Sequence, residues 1–157
     1  MVGALTVAGY DADGHLMNPD GSYDHEYAAW LADGGTRARD GVLLVAVDGD
    51  DLLGTVTWCP PGSPFRELAT RDDQGEFRTL SVAPEARGRG VGSALVDWCL
   101  DEARASGLAE VLLCSLPTMT TAHRLYESRG FVRRPELDWT PFPGVDLWAF
   151  SLQLVGE

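Results

Sequence analysis

The chain changes its hydrophobic period several times, and each change marks an element. Residues 77–82 are short, β-prone and bounded by turn residues, as a strand should be. Pro84 cannot donate to a ladder and ends it. From Val91 onward the apolar positions Leu95, Trp98, Cys99 and Ala103 recur at helical spacing, with Asp97, Asp101 and Arg104 between them. Ser106-Gly107 supplies the stop. Residues 42–47 and 52–58 are β-branched runs around Asp48-Gly49-Asp50-Asp51, which predicts a hairpin. Residues 110–116 read as an apolar strand ended by Pro117. Residues 118–128 read as a helix capped by Thr118 or Thr120, with Gly130 at its stop. Residues 131–134 and 147–154 are the last predicted strands.

Ahead of the hairpin, residues 4–10 read as a helix rather than a strand, residues 11–22 as an Asp- and Gly-rich loop, and residues 23–32 as a helix. Tyr23, Tyr27, Trp30 and Leu31 share one face of that helix. Residues 59–75 and 135–145 are Pro-containing loops, and the first is long enough to suit a lid or binding loop. Strands alternating with helices, and hairpins at both ends, predict a mixed α/β fold with helices on both faces of the sheet.

Length adds a domain count. The 157 residues are enough for one domain with a sizeable core. No apolar run approaches the ~20 residues that span a bilayer, and the first residues carry no basic segment of a secretory signal. Cys59, Cys99 and Cys114 are widely spaced in apolar surroundings. They read as reduced core cysteines of a cytoplasmic protein, not as a disulfide frame. His15, His25 and His123 lack metal-ligand spacing, so no metal is expected. Net charge is −12, and the 12 basic residues are all Arg. That balance argues against nucleic acid and favours a cationic or neutral acceptor.

The segment Arg87-Gly88-Arg89-Gly90-Val91-Gly92 joins the central strand to its helix. Glycines let the backbone turn sharply and clear side chains from a ligand. The N–H groups that open a helix lack partners and sit at its positive end, which makes an anion site. A Walker loop would need Gly-Lys-Ser/Thr, and the chain has no Lys. The run Leu80-x-Val82-x-Pro84-x-x-Arg87-Gly88-x-Gly90-x-Gly92 resembles the acetyl-CoA signature of the GNAT family, the Gcn5-related N-acetyltransferases. Downstream, Ala122-His123-Arg124-Leu125-Tyr126-Glu127-Ser128-Arg129-Gly130-Phe131 looks like that family's Ala-x-x-Leu-Tyr-x-x-x-Gly-Phe segment.

The resemblance implies a six- or seven-stranded, mainly antiparallel mixed sheet with a splayed central strand pair. It implies acetyl-CoA as co-substrate, no metal, and transfer to a primary amine of a small molecule or peptide in a ternary complex. Backbone groups of Arg87, Gly88, Arg89, Gly90, Val91, Gly92 and Ser93 would hold the pyrophosphate. Leu80 and Val82 would offer main-chain groups to the pantetheine arm, with the Val82 N–H donating to the thioester carbonyl. Thr120 stands where many members have an Asn against the pantetheine. Tyr126 would be the general acid, since its phenol is protonated at neutral pH. Glu76, at the head of the central strand, would be the base. Tyr27, Asp138 and Trp139 would line the acceptor site. A non-catalytic CoA-binding or protein-interaction module on the same fold is the alternative, and a homodimer stays open.

Overall fold

A computed structural model of the chain describes residues 2–12, 16–17, 22–23, 25–35, 39 and 41–154, without the side chains of residues 11, 12, 26, 27 and 30. Helices α1 (Val2–Ala12) and α2 (His25–Ala32) come first. The hairpin β1 (Val42–Asp48) and β2 (Asp51–Cys59) follows, then β3 (Gln74–Val82), α3 (Val91–Ala105), β4 (Glu110–Ser115), α4 (Thr120–Ser128), β5 (Val132–Arg133), β6 (Trp139–Phe142) and β7 (Val145–Gln153). Among the described residues the strands form one seven-stranded sheet in the order β1-β2-β3-β4-β7-β5, with β6 paired to β7. The β3–β4 pair is parallel and the others are antiparallel. The mixed, mainly antiparallel α/β architecture expected from the sequence is therefore present.

Strand β7 shows how the sheet separates two apolar layers. Val145 and Leu147 face a cluster with Tyr10, Leu31 and Leu116. Trp148, Phe150 and Leu152 face the other cluster, with Val96, Leu100 and Tyr126. This is the period-two alternation of a strand. Helices α1 and α2 cover the first face, and α3 and α4 the second. Under the sheet's centre sits an aromatic plug. Phe77 of β3 lies 5.9 Å from Tyr126 and 6.0 Å from Phe131 between ring centroids, and Tyr126 lies 5.9 Å from Phe150. Tilted and edge-on pairs of this kind are favourable beyond their buried area.

Several boundaries differ from the sequence pattern, each for a local reason. Tyr23 forms an isolated bridge with Met17, so α2 begins at His25. Part of the predicted 11–22 loop lies outside the described residues. The Thr120 N–H turns back onto the Thr118 carbonyl at 2.9 Å, and α4 starts at Thr120 behind Met119 with no side-chain cap. Neither Thr118 nor Thr120 caps it. The predicted 135–145 loop contains β6. Its ladder shifts register between Trp139↔Leu147 and Phe142↔Val145, and Pro141 sits in that gap, where its missing N–H costs no ladder bond. Trp98 is 39% exposed on the flank of α3, not part of its buried face.

The plug and that flank should respond differently to truncation. Phe77→Ala is expected to cost about 3–5 kcal/mol in urea unfolding. Trp98→Ala should cost less than about 0.5 kcal/mol. Similar losses for both would contradict the placement of the core.

Candidate active site

Strands β3 and β4 run together from Gln74↔Glu110 to Phe77↔Leu113 and then part. Beyond that point β3 keeps only β2, through Thr57↔Arg78, Thr55↔Ser81 and Gly54↔Val82. Its other edge faces the opening, and an open edge can pair with an extended ligand. The β2–β3 register shifts between Thr55 and Thr57. Opposite this bulge Thr79 has φ 56°, the only positive φ outside glycine among the described residues. A β-branched residue held there is strained, and the bulge re-aims the strand where the pair separates.

A cavity of about 550 Å³ opens along one arm of the parting. One wall runs from Leu80 to Val82, the floor is the turn into α3, and the far wall runs from Thr118 to Ala122. Gly90 is the N-cap of α3 at φ 78° with no side-chain cap, and Gly88 has φ 77°. Space around both is open, so glycine serves the left-handed turn. Ala94 is the first residue to reach back, its N–H donating to the Gly90 carbonyl at 3.0 Å. The preceding N–H groups of α3 lack helical partners and sit at the positive end of its dipole. A diphosphate fits this cradle. Arg87 lines the cavity and donates to the Gly9 carbonyl at 2.9 Å, tying the loop to α1.

A second cavity of about 300 Å³ lies along the other arm. Its walls are Arg78 and Thr79 of β3, residues 114–116 at the end of β4, the β6–β7 ribbon, and Glu67 from the 59–75 loop. Tyr10 of α1 lines both cavities, so the two share this residue as a wall. The Arg78 guanidinium donates to Glu67 Oε1 at 2.9 Å and to the Phe65 carbonyl at 3.1 Å. His123 Nε2 lies 3.1 Å from both Ser115 Oγ and the Leu116 carbonyl. Burial lowers the His123 pKa, so the neutral ring donates there. Burial also pushes the Cys114 thiol up to about 12. A thiolate, the form that could take an acyl group, is scarce there at neutral pH.

The expected binding residues gather around the first cavity. Leu80, Val82, Arg87, Gly88, Gly90, Val91, Gly92, Ser93 and Thr120 all line it. Arg89 does not, and pairs with Asp48 at 3.3 Å. Trp139 lines the second cavity, and its buried indole N–H has no hydrogen-bond partner of ordinary geometry. The Tyr27 side chain lies outside the described residues. Asp138 lines neither cavity. It is held by Arg133 at 2.7 and 2.8 Å and accepts the Ala149 N–H at 2.8 Å.

The two expected catalytic residues also line neither cavity. Tyr126 packs beneath the parting in the aromatic plug, and burial pushes its phenol far above the ordinary value. Glu76 is fully buried. Its carboxylate accepts the N–H groups of Glu67 at 3.1 Å, Leu68 at 2.9 Å and Ala69 at 3.0 Å. Burial raises its pKa and these donors oppose the rise. Glu76 thus anchors the loop that presents Glu67. Tyr10, Glu67, Arg78 and Ser115 escaped the sequence reading. For Glu67 the only signal was the length of its loop.

A sequence model of the Acetyltransferase (GNAT) family matches residues 11–131. Mycothiol acetyltransferase of Geodermatophilus obscurus is 39% identical over 101 residues, covering 62% of this chain and 31% of that protein. The chain therefore spans about a third of that curated relative's length. An uncharacterized N-acetyltransferase of Archaeoglobus fulgidus is 31% identical over 110 residues, covering 70% of this chain and 69% of that protein. Among solved structures, PaiA N-acetyltransferase of Thermoplasma acidophilum in complex with coenzyme A has a TM-score of 0.66 at 16% identity, covering 96% of this chain and 89% of that one.

The position of Glu76 separates anchoring from catalysis. Glu76→Gln removes a charged acceptor of three N–H bonds, worth about 1.5–3 kcal/mol for bonds of this kind. Thermal unfolding should therefore shift down by several degrees. Unchanged thermal stability with collapsed turnover would return Glu76 to the role of base.

Proposed function

Because the chain belongs to the GNAT acetyltransferase family, we propose that it transfers the acetyl group of acetyl-CoA directly to a primary amine within a ternary complex. One observation carries this reading. Two cavities meet at Tyr10 across the parting of β3 and β4, and one of them ends in a helix N-terminus cradled by glycines.

The residues present fit acetyl-CoA, which supplies an activated acetyl group and a thiol leaving group. The opening N–H groups of α3 take the diphosphate. The open edge of β3 from Leu80 to Val82 offers main-chain donors and acceptors to the extended arm. Thr118 to Ala122 close the cavity from the other side. These contacts aim the reacting end at the Tyr10 junction, and orientation of this kind is a large share of catalysis in a two-substrate transfer. The amine enters from the second cavity. The Glu67 carboxylate gives its ammonium a counter-charge and a first stop for the departing proton. The buried, protonated state of the Cys114 thiol favours direct attack over a covalent enzyme intermediate.

A phenol is the proton donor to the leaving sulfur. The family segment supports Tyr126 in that role, and burial keeps it protonated. The cavity lining favours a second reading, in which the donor is Tyr10. Thiol release from acetyl-CoA with an amine present decides between them. Tyr126→Phe should retain acetyl-CoA affinity and lower kcat by about 10²–10⁴-fold, the usual range for an acid–base group. A loss below about threefold for Tyr126→Phe, with the large loss appearing in Tyr10→Phe, would move the role to Tyr10.

A further inference from the structure

We infer that the second cavity takes a primary monoamine with a flat, apolar and otherwise uncharged body, of which a single-ring arylalkylamine is the simplest. This rests on the acetyl-transfer reading above and adds the acceptor class.

Three features of the cavity lead to that class. The first is its lining. Tyr10, Trp139 and Phe142 supply three aromatic rings, and Leu116, Pro141 and Leu147 complete an apolar wall. Such walls reward a ring, through buried area and through edge or offset contacts. The second is its size. At about 300 Å³ it stands at the low end of the roughly 300–1,000 Å³ of small-molecule sites. It holds one ring and a short arm, and the second and third residues of a peptide would lie outside it.

The third feature is charge. Among the described residues, Glu67 and Arg78 are the charged side chains of the lining, and they pair at 2.9 Å. Arg78 is further engaged by the Phe65 carbonyl and lies over the Phe65 ring at 5.9 Å. A carboxylate on the acceptor would have to displace one of these contacts to reach it. A second ammonium would lose water with no second carboxylate among the described lining residues to replace it. A single ammonium meets the Glu67 carboxylate and aromatic faces, both of which favour a cation. The net charge of −12 draws the same cation toward the molecule.

The test is a thiol-release assay on the purified chain with acetyl-CoA and four acceptors: 2-phenylethylamine, free L-phenylalanine, putrescine and a short peptide with a free N-terminal alanine. L-phenylalanine is 2-phenylethylamine with one carboxylate added, so this pair isolates the second charge. The inference expects kcat/KM for 2-phenylethylamine to exceed each of the others by about tenfold or more. Equal or faster turnover of L-phenylalanine, putrescine or the peptide overturns the acceptor class and leaves acetyl transfer standing. Saturable acetyl-CoA binding with no thiol release from any of the four overturns the transfer reading, and the inference with it. Phe142→Ala should raise KM for 2-phenylethylamine about tenfold, with the acetyl-CoA Kd unchanged as the sign of an intact fold. Trp139→Leu, which keeps an apolar side chain in the wall, is the second variant. Unchanged KM in both overturns the placement of the amine in this cavity.

Discussion

The parting of β3 from β4 after Phe77↔Leu113 is the constraint on which the rest of the molecule depends. A parallel pair that stayed closed would satisfy its own main-chain groups and leave no room for a ligand. Two devices hold it open. The bulge at Thr79 re-aims β3, with the strain of a positive φ absorbed by the surrounding sheet. Beneath it, Phe77, Tyr126, Phe131 and Phe150 fill the wedge with aromatic rings. The two cavities are the two arms of that opening, and α1 closes it from the opposite face by placing Tyr10 where they meet.

Around this opening the chemistry is divided between backbone and side chains. The first cavity is lined by main chain at the start of α3 and along β3, with glycines in the turn between them. The second cavity is lined by side chains of distant segments. Glu76 links the two levels: it is buried inside β3, yet its carboxylate fixes residues 67–69 and so sets where Glu67 stands. Desolvation pushes the Cys59 and Cys114 thiols up to about 12 and raises the Cys99 thiol as well, so thiolates are scarce at neutral pH.

How far the sequence could be read follows from this division. Much of the first cavity's lining lies in a nearly continuous stretch from Leu80 to Ser93, and its glycine spacing signals a turn into a helix. The hairpin, β3, α3 and β4 were legible for the same reason: their periodicity is local. The second cavity gathers Tyr10, Glu67, Arg78, Ser115 and Trp139 from five separate segments, and no spacing along the chain announces such a meeting. The surroundings of Glu76 were not legible, because a carboxylate at a strand end has the same pattern whether it faces a ligand or a loop backbone; here it faces the backbone of residues 67–69. Strand β6 was hidden because its proline argues against a ladder, and only the register shift around Pro141 makes room for one.

The central claim is that the opening between β3 and β4 holds acetyl-CoA. A 17.0 kDa chain suits amide nuclear magnetic resonance, and titration with acetyl-CoA tests the claim most directly. Saturable shifts concentrated in the amides of residues 80–82 and 90–93 are the predicted result. Shifts that leave these amides unmoved, or no saturable response at all, would contradict the account.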